Sequence, residues 1–290
     1  MTILAIVQEC SDRLQIPRPS AFVTSTDNNM LLLKAMLIAA LKDLRDLPWI
    51  ELQKEYTFTL ATDTASYPMP SDFNYLLMDT LWNRSQSWPL IGPLDAIVWQ
   101  NYKSGLITSF PRQRYRVKGW ATKQFFIDPT PSSSENGQTC VFEYISSTMI
   151  RPKTWVASTS WSGIQYCSYN GNIYDRGGTG AGTTGTNPPV HTSGSVTDGG
   201  ITWTYLATSF EAFTHDSDEV ILDNPMVIRE TVWRFKRERG LDFEALKKES
   251  DDARDEALTA FQGASAIPIG RSRIPRGIGL WSYPEGNFGI

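Results

Sequence analysis

Two histidines, three cysteines and 31 acidic residues are the side chains with which this sequence could run a reaction. His191 stands close to Pro189 in a glycine-rich stretch, with no partner at a spacing that makes a zinc site or a hydrolase signature. A polar loop side chain is the simpler account of it. His215 precedes Asp216, Asp218 and Glu219, a run whose carboxylates suit calcium. The run lacks the glycine and terminal glutamate of an EF-hand loop. Acids approaching the N-terminus of a helix that starts at Asn224 explain it more simply, because the helix dipole stabilises carboxylates there.

Cys10, Cys140 and Cys167 are odd in number and far apart, so they suggest neither a disulfide framework nor a metal knuckle. The run Gly177–Gly178–Thr179–Gly180–Ala181–Gly182 is followed by no helix pattern, and a phosphate cradle needs that helix start. Any two of the 31 acids can meet in space as a glycosidase pair, but that is a base rate and not a motif. The sequence therefore predicts no catalytic residue, no metal and no cofactor, and a structural protein in place of an enzyme.

The elements that would position these residues alternate between helix and strand. Ile3, Leu4, Ile6, Val7 and Leu14 recur at helical spacing until Pro17 and Pro19. A second helix is expected after the capping run Thr26–Asp27–Asn28–Asn29, reaching about Leu47 before Pro48. Its apolar face is broad, which implies burial in a core or against a neighbouring subunit. From Glu51 to Ile150 the period changes to strands near 56–60, 76–82, 115–117, 124–127 and 139–145.

From Trp155 to Leu206 the chain holds ten of its 21 glycines and few charges, with Trp155, Trp161, Tyr166, Tyr169, Tyr174, Trp203 and Tyr205 interleaved. So many large aromatics do not suit a linker; a small loop-rich β module with an aromatic core fits. Helices return at Asp223–Asn224–Pro225, break at Gly240, and resume from Asp242 to Phe261. The fold class is thus α+β. Four parts are expected: a helical domain from 1–50 and 210–263, a β domain over 51–153, an inserted β module over 154–209, and an extended tail over 264–290.

Composition narrows the function further. The net charge of -4 argues against a general nucleic-acid binder, which needs clustered cations to neutralise phosphates. Glu9, Asp12 and Arg13 interrupt the first apolar stretch, which excludes a signal peptide, and Met30–Leu41 is too short to span a bilayer. A soluble protein away from membranes is expected. The tail carries Arg271, Arg273, Ile274, Pro275 and Arg276, then Trp281, Tyr283 and Phe288. Such a segment cannot bury its own aromatics, and is expected to gain order on a partner.

Several segments together resemble one family. Tyr67–Pro68–Met69–Pro70–Ser71–Asp72–Phe73, Phe126–Ile127–Asp128–Pro129–Thr130–Pro131 and Phe142–Glu143–Tyr144 are similar to the β domain of head-to-tail adaptors (tail tubular, or head-completion, proteins) of short-tailed bacteriophages. The helices at both ends are similar to that family too, and Arg271–Ser272–Arg273–Ile274–Pro275–Arg276–Gly277 resembles its portal-binding extension. The resemblance implies a homo-oligomeric ring, typically a dodecamer, at the head-to-tail interface of a virion assembled in the host cytoplasm. Its partners would be the portal protein and a tail nozzle protein, and DNA would pass through the channel without specific binding. Tyr169–Asn170–Gly171–Asn172–Ile173–Tyr174 and Val196–Thr197–Asp198–Gly199–Gly200–Ile201–Thr202–Trp203 look like small β modules inserted into phage tail proteins. Some relatives of those modules bind glycans. The alternative reading is therefore a surface-glycan or peptidoglycan binder with muramidase activity, using Trp161, Tyr169, Tyr174 and Trp203 as sugar platforms. Packing of those rings into the module's own core is the favoured account of them.

Overall fold

A computed structural model describes residues 1–104, 113–119, 123–206 and 213–262. Its helices are α1 (Ile3–Leu14), α2 (Asn28–Arg45), α3 (Ala96–Ser104), α4 (Asn224–Glu238) and α5 (Glu244–Gln262), and with several antiparallel sheets they make an α+β protein. The chain divides into two compact units, one of Met1–Gln53 with the described chain from Ser146 onward, the other of Lys54–Ile145.

In the first unit α1 and α2, from the start of the sequence, pack on α4 from near its end, and α5 packs on α4 as well. Local chemistry sets the boundaries. The Asp27 carboxylate accepts from the Asn29 and Met30 amides, and Asp223 accepts from the Met226 amide with Pro225 in the first turn. Gly240 takes φ +68°, while the Gly240 amide donates to the Arg237 carbonyl and the Leu241 amide to the Lys236 carbonyl. These bonds satisfy the last carbonyls of α4 and let α5 begin. α1 stops earlier than its prolines require, because Gln15 adopts the left-handed conformation and its amide bonds back to Asp12. α4 is the central helix: Met226, Val227, Ile228, Val232, Trp233 and Phe235 are all buried. Burial of each such side chain is worth about 1.5–3 kcal/mol.

The second unit holds β1 (Gln53–Thr59), β2 (Ser66–Pro68), β3 (Phe73–Leu76), β4 (Trp82–Asn83), β5 (Trp88–Pro89), β6 (Arg114–Lys118), β7 (Gln124–Asp128) and β8 (Thr139–Ser146). One sheet runs β1-β8-β4-β5, with β3 also on β8; the other runs β2-β7-β6. Alternation turns Phe58, Phe142 and Tyr144 of the first sheet and Tyr67, Tyr115, Phe125 and Ile127 of the second into one core. Phe125 stacks on Phe142 at 5.3 Å and meets Phe58 edge-on at 5.3 Å, so the sheets face each other across an aromatic layer.

The single strand expected over 76–82 is corrected to β3 and β4. Asp79, at φ +63°, makes a turn between them, and the Thr80 hydroxyl bonds the Leu77 carbonyl. α3 is an element the hydrophobic pattern does not announce. Its signal is Asp95, whose carboxylate accepts from the Val98 amide at 2.8 Å.

The remaining strands are β9 (Ile150–Arg151), β10 (Ser160–Trp161), β11 (Tyr166–Tyr169), β12 (Asn172–Asp175), β13 (Gly182–Thr183), β14 (Ser195–Asp198), β15 (Ile201–Leu206) and β16 (Glu219–Val220). An antiparallel sheet β11-β12-β15-β14 and the pair β10-β13 make the glycine-rich module, while β9 pairs with β16. Trp155, Trp161, Ile164, Cys167, Tyr174, Ile201 and Trp203 form the module's core. Gly185 lies so close to Asp198 that a Cβ there would sit 2.2 Å from Oδ1. The buried Asp198 carboxylate uses that approach to accept from the Gly185 and Asn187 amides.

Candidate functional site

The acids around His215 hold backbone together. Asp216 accepts from the Phe22 and Val23 amides, and the buried Asp218 accepts from the Thr214 amide and hydroxyl and from the His215 amide. Burial raises the Asp218 carboxyl above its usual range, against the pull of those hydrogen bonds. These acids do not serve the N-terminus of α4, as the sequence led us to expect; Asp223 does that, and Asp216 fastens the segment after Ser20 to this loop. His215 Nδ1 lies 2.7 Å from the Ser217 hydroxyl. His191 packs its ring 5.0 Å from Tyr174, whose hydroxyl donates to the His191 carbonyl.

All three cysteines are free and buried. Burial pushes the Cys10 and Cys140 thiols up to about 12 and raises Cys167 also, which keeps them protonated and poorly nucleophilic. Among the described residues no group of three or more His, Cys, Asp or Glu could hold a metal ion, and no helix is long and apolar enough to cross a membrane.

The four aromatics proposed as sugar platforms lie in one module, but three are turned inward. Trp161, Tyr174 and Trp203 are each 0% exposed. Trp161 and Trp203 meet edge-to-face at 5.4 Å, and Lys153 Nζ sits 4.7 Å from the Trp161 ring centre. Stacking of a sugar needs an open ring face, so these three cannot act as platforms in this fold. Tyr169 is half-buried against Trp155. Arg271, Arg273, Ile274, Pro275, Arg276, Trp281, Tyr283 and Phe288 lie outside the described residues.

Two features escaped the sequence reading. The first is an ionic knot at the centre of the helical unit. Glu230 on α4 is 1% exposed, and its carboxylate accepts from Arg234, from Trp233 Nε1 at 2.9 Å and from Arg254 of α5 at 3.5 Å. Arg234 also reaches Asp43 of α2 at 2.7 Å. Glu230 and Arg234 together thereby tie α2, α4 and α5. Glu230 and Arg234 stand at helical spacing in the sequence, but that spacing does not reveal their burial.

The second feature is the division of charge between the outward sides of the two β-domain sheets. On β6 the alternating Arg114, Arg116 and Lys118 point away from the core, opposite Asp128, Phe126 and Gln124 of β7. Arg114 is buried 3.6 Å from the centre of the Tyr102 ring, and Asp128 pairs with Lys103 at 2.7 Å. On the other sheet, Glu55, Asp79, Thr80, Trp82, Arg84, Val141 and Glu143 line a shallow pocket of about 260 Å³. The alternation of residues 114–118 was legible in the sequence; which strands would lie beside them was not. No family model matches this chain, and no curated protein matches it.

Proposed function

We propose that the chain is a structural head-to-tail adaptor of a tailed bacteriophage, forming a ring beneath the portal, extending the DNA channel and attaching the tail. The observation that carries this reading is the helical unit built from both chain ends, α1 and α2 packed on α4, with a sandwich-like β domain inserted between them. That arrangement agrees with what the resemblance implies. The net charge of -4 suits a channel wall that lets DNA slide. The chemistry-bearing side chains support it too, since His215, Asp216 and Asp218 are engaged in loop contacts and the thiols are buried. In this reading residues 264–290 dock into portal crevices, aromatics as anchors and arginines against acids.

The test is co-sedimentation of the full chain with rings of the portal protein encoded in the same genome, followed by electron microscopy. The full chain should join the portal as a ring, and a chain lacking residues 264–290 should stay folded but remain in the supernatant. Failure of the full chain to join would overturn the adaptor reading. A truncated chain that still co-sediments would overturn the role of the tail. The glycan-binding alternative is weakened by the burial of Trp161, Tyr174 and Trp203.

A further inference from the structure

We infer that this chain associates head-to-tail with a second copy of itself, the Arg116–Lys118 face of one β domain seating against the Glu55–Glu143–Trp82 pocket of the next. The inference deepens the ring reading above, because it names the surfaces between neighbouring copies. It begins from strand geometry. Residues two apart on a strand share a face at a spacing of roughly 7 Å, so Arg116 and Lys118 present adjacent cations on the outward side of β6. Lys118 Nζ lies 5.0 Å from the Trp99 ring centre and 4.8 Å from that of Phe126, over an aromatic floor. Among the described residues no carboxylate pairs with Arg116 or Lys118, whereas Asp128 is already engaged by Lys103 and Arg114. Burial, then the charges of Arg116 and Lys103, lower the pKa of Lys118. An arriving carboxylate would relieve that crowding of like charge.

The complementary surface lies on the opposite sheet of the same domain. Glu55 pairs with Arg84, but among the described residues no cation pairs with Glu143 or Asp79. Trp82 is 38% exposed beside them, and Met78 is 68% exposed. Two carboxylates without ion pairs and an open indole form a receptor for a guanidinium or an ammonium. The sheets face each other across the aromatic core, so their outward sides point away from one another and cannot meet within one domain. Complementary patches on different sides of one molecule make a heterologous contact, which closes into a ring when the rotation allows and otherwise grows as a filament. A second copy is favoured over nucleic acid because the acidic partner surface is carried by this same chain, while two unpaired cations are a small footprint for a phosphate backbone.

The experiment uses the full chain and two charge-reversed variants, Arg116→Glu/Lys118→Glu and Glu55→Lys/Glu143→Lys, followed by sedimentation velocity at low and high salt. The wild-type chain should self-associate, less so in high salt, and each variant alone should associate about tenfold more weakly or less. An equimolar mixture of the two should recover association, since reversed faces again meet opposite charges. A wild-type chain that stays monomeric, variants that associate like wild type, or a mixture no better than its components would each overturn the proposal. A basic-face variant that loses duplex DNA binding with self-association intact would also overturn it, in favour of nucleic acid. Circular dichroism verifies the fold, and Lys118→Gln with Glu143→Gln, read the same way, replace any variant that misfolds. The readout needs no portal, so failure here and failure of portal docking are separate results.

Discussion

Replacing Arg234 with methionine tests whether the helical unit depends on its central ionic knot. The methionine keeps much of the volume but leaves the Glu230 carboxylate, 1% exposed, with Trp233 Nε1 at 2.9 Å and Arg254 at 3.5 Å as its remaining side-chain partners among the described residues. The lost contact to Asp43 adds little, because that side chain is 69% exposed and water takes over its solvation. Stranding one member of a buried pair costs about 3–5 kcal/mol. For a domain of this size each kcal/mol lowers the melting temperature by about 2–4 °C, so a drop of roughly 6–20 °C is expected. Scanning calorimetry with far-ultraviolet circular dichroism reads it. The double variant Glu230→Gln/Arg234→Met removes both charges and should recover more than half of the loss, since Arg254 retains Asp251 at 2.8 Å. A single variant within about 1 kcal/mol of wild type, or a double variant worse than the single, would refute the reasoning.

Four further outcomes follow from the same structure. Trp203→Ala should cost about 3–5 kcal/mol by emptying the module core, with loss of near-ultraviolet circular dichroism and retention of helical signal. Gly185→Ala should cost about 1–3 kcal/mol in urea unfolding, because its Cβ displaces Asp198 from two backbone amides. A thiol reagent at mildly alkaline pH should label none of Cys10, Cys140 and Cys167 in the native protein and all three in denaturant. Asp218 holds its proton in the folded state above the ordinary value of 3.8. Its contribution to stability is therefore fully present below that pH and declines as pH rises through the raised native value; Asp218→Asn should flatten that part of a stability profile measured by denaturant titration.

Capping residues and alternation carried most of the fold into the sequence. Asp27, Asp223 and Gly240 marked helix ends because each acts on backbone groups within a few residues. Tyr115, Phe125 and Phe142 were legible as strand residues because period-two burial is local. What stayed hidden depends on distant partners. The break at Asp79 reflects a turn that no glycine or proline announces, and Glu230 reads as one more acid on a charged helix until Arg254 and Trp233 arrive from elsewhere. Asp216 beside His215 misled for the same reason, since its partners at Phe22 and Val23 lie almost two hundred positions away along the chain.

The packing of α1 and α2 on α4 also bears on synthesis. Leu33, Leu37 and Leu41 of α2 are fully buried and α2 packs on a helix that begins only at Asn224, so the ribosome must add the chain between Arg45 and Asn224 before that packing can form. At translation rates of about 5–20 residues per second that interval is roughly 9–36 s. Residues 54–145, whose pairings are confined to their own span, can condense during the wait. A fragment released before Asn224 therefore carries α1 and α2 without the helix on which they pack. The order of emergence thus fixes an order of folding, with the helical unit closing only after α4 leaves the ribosome.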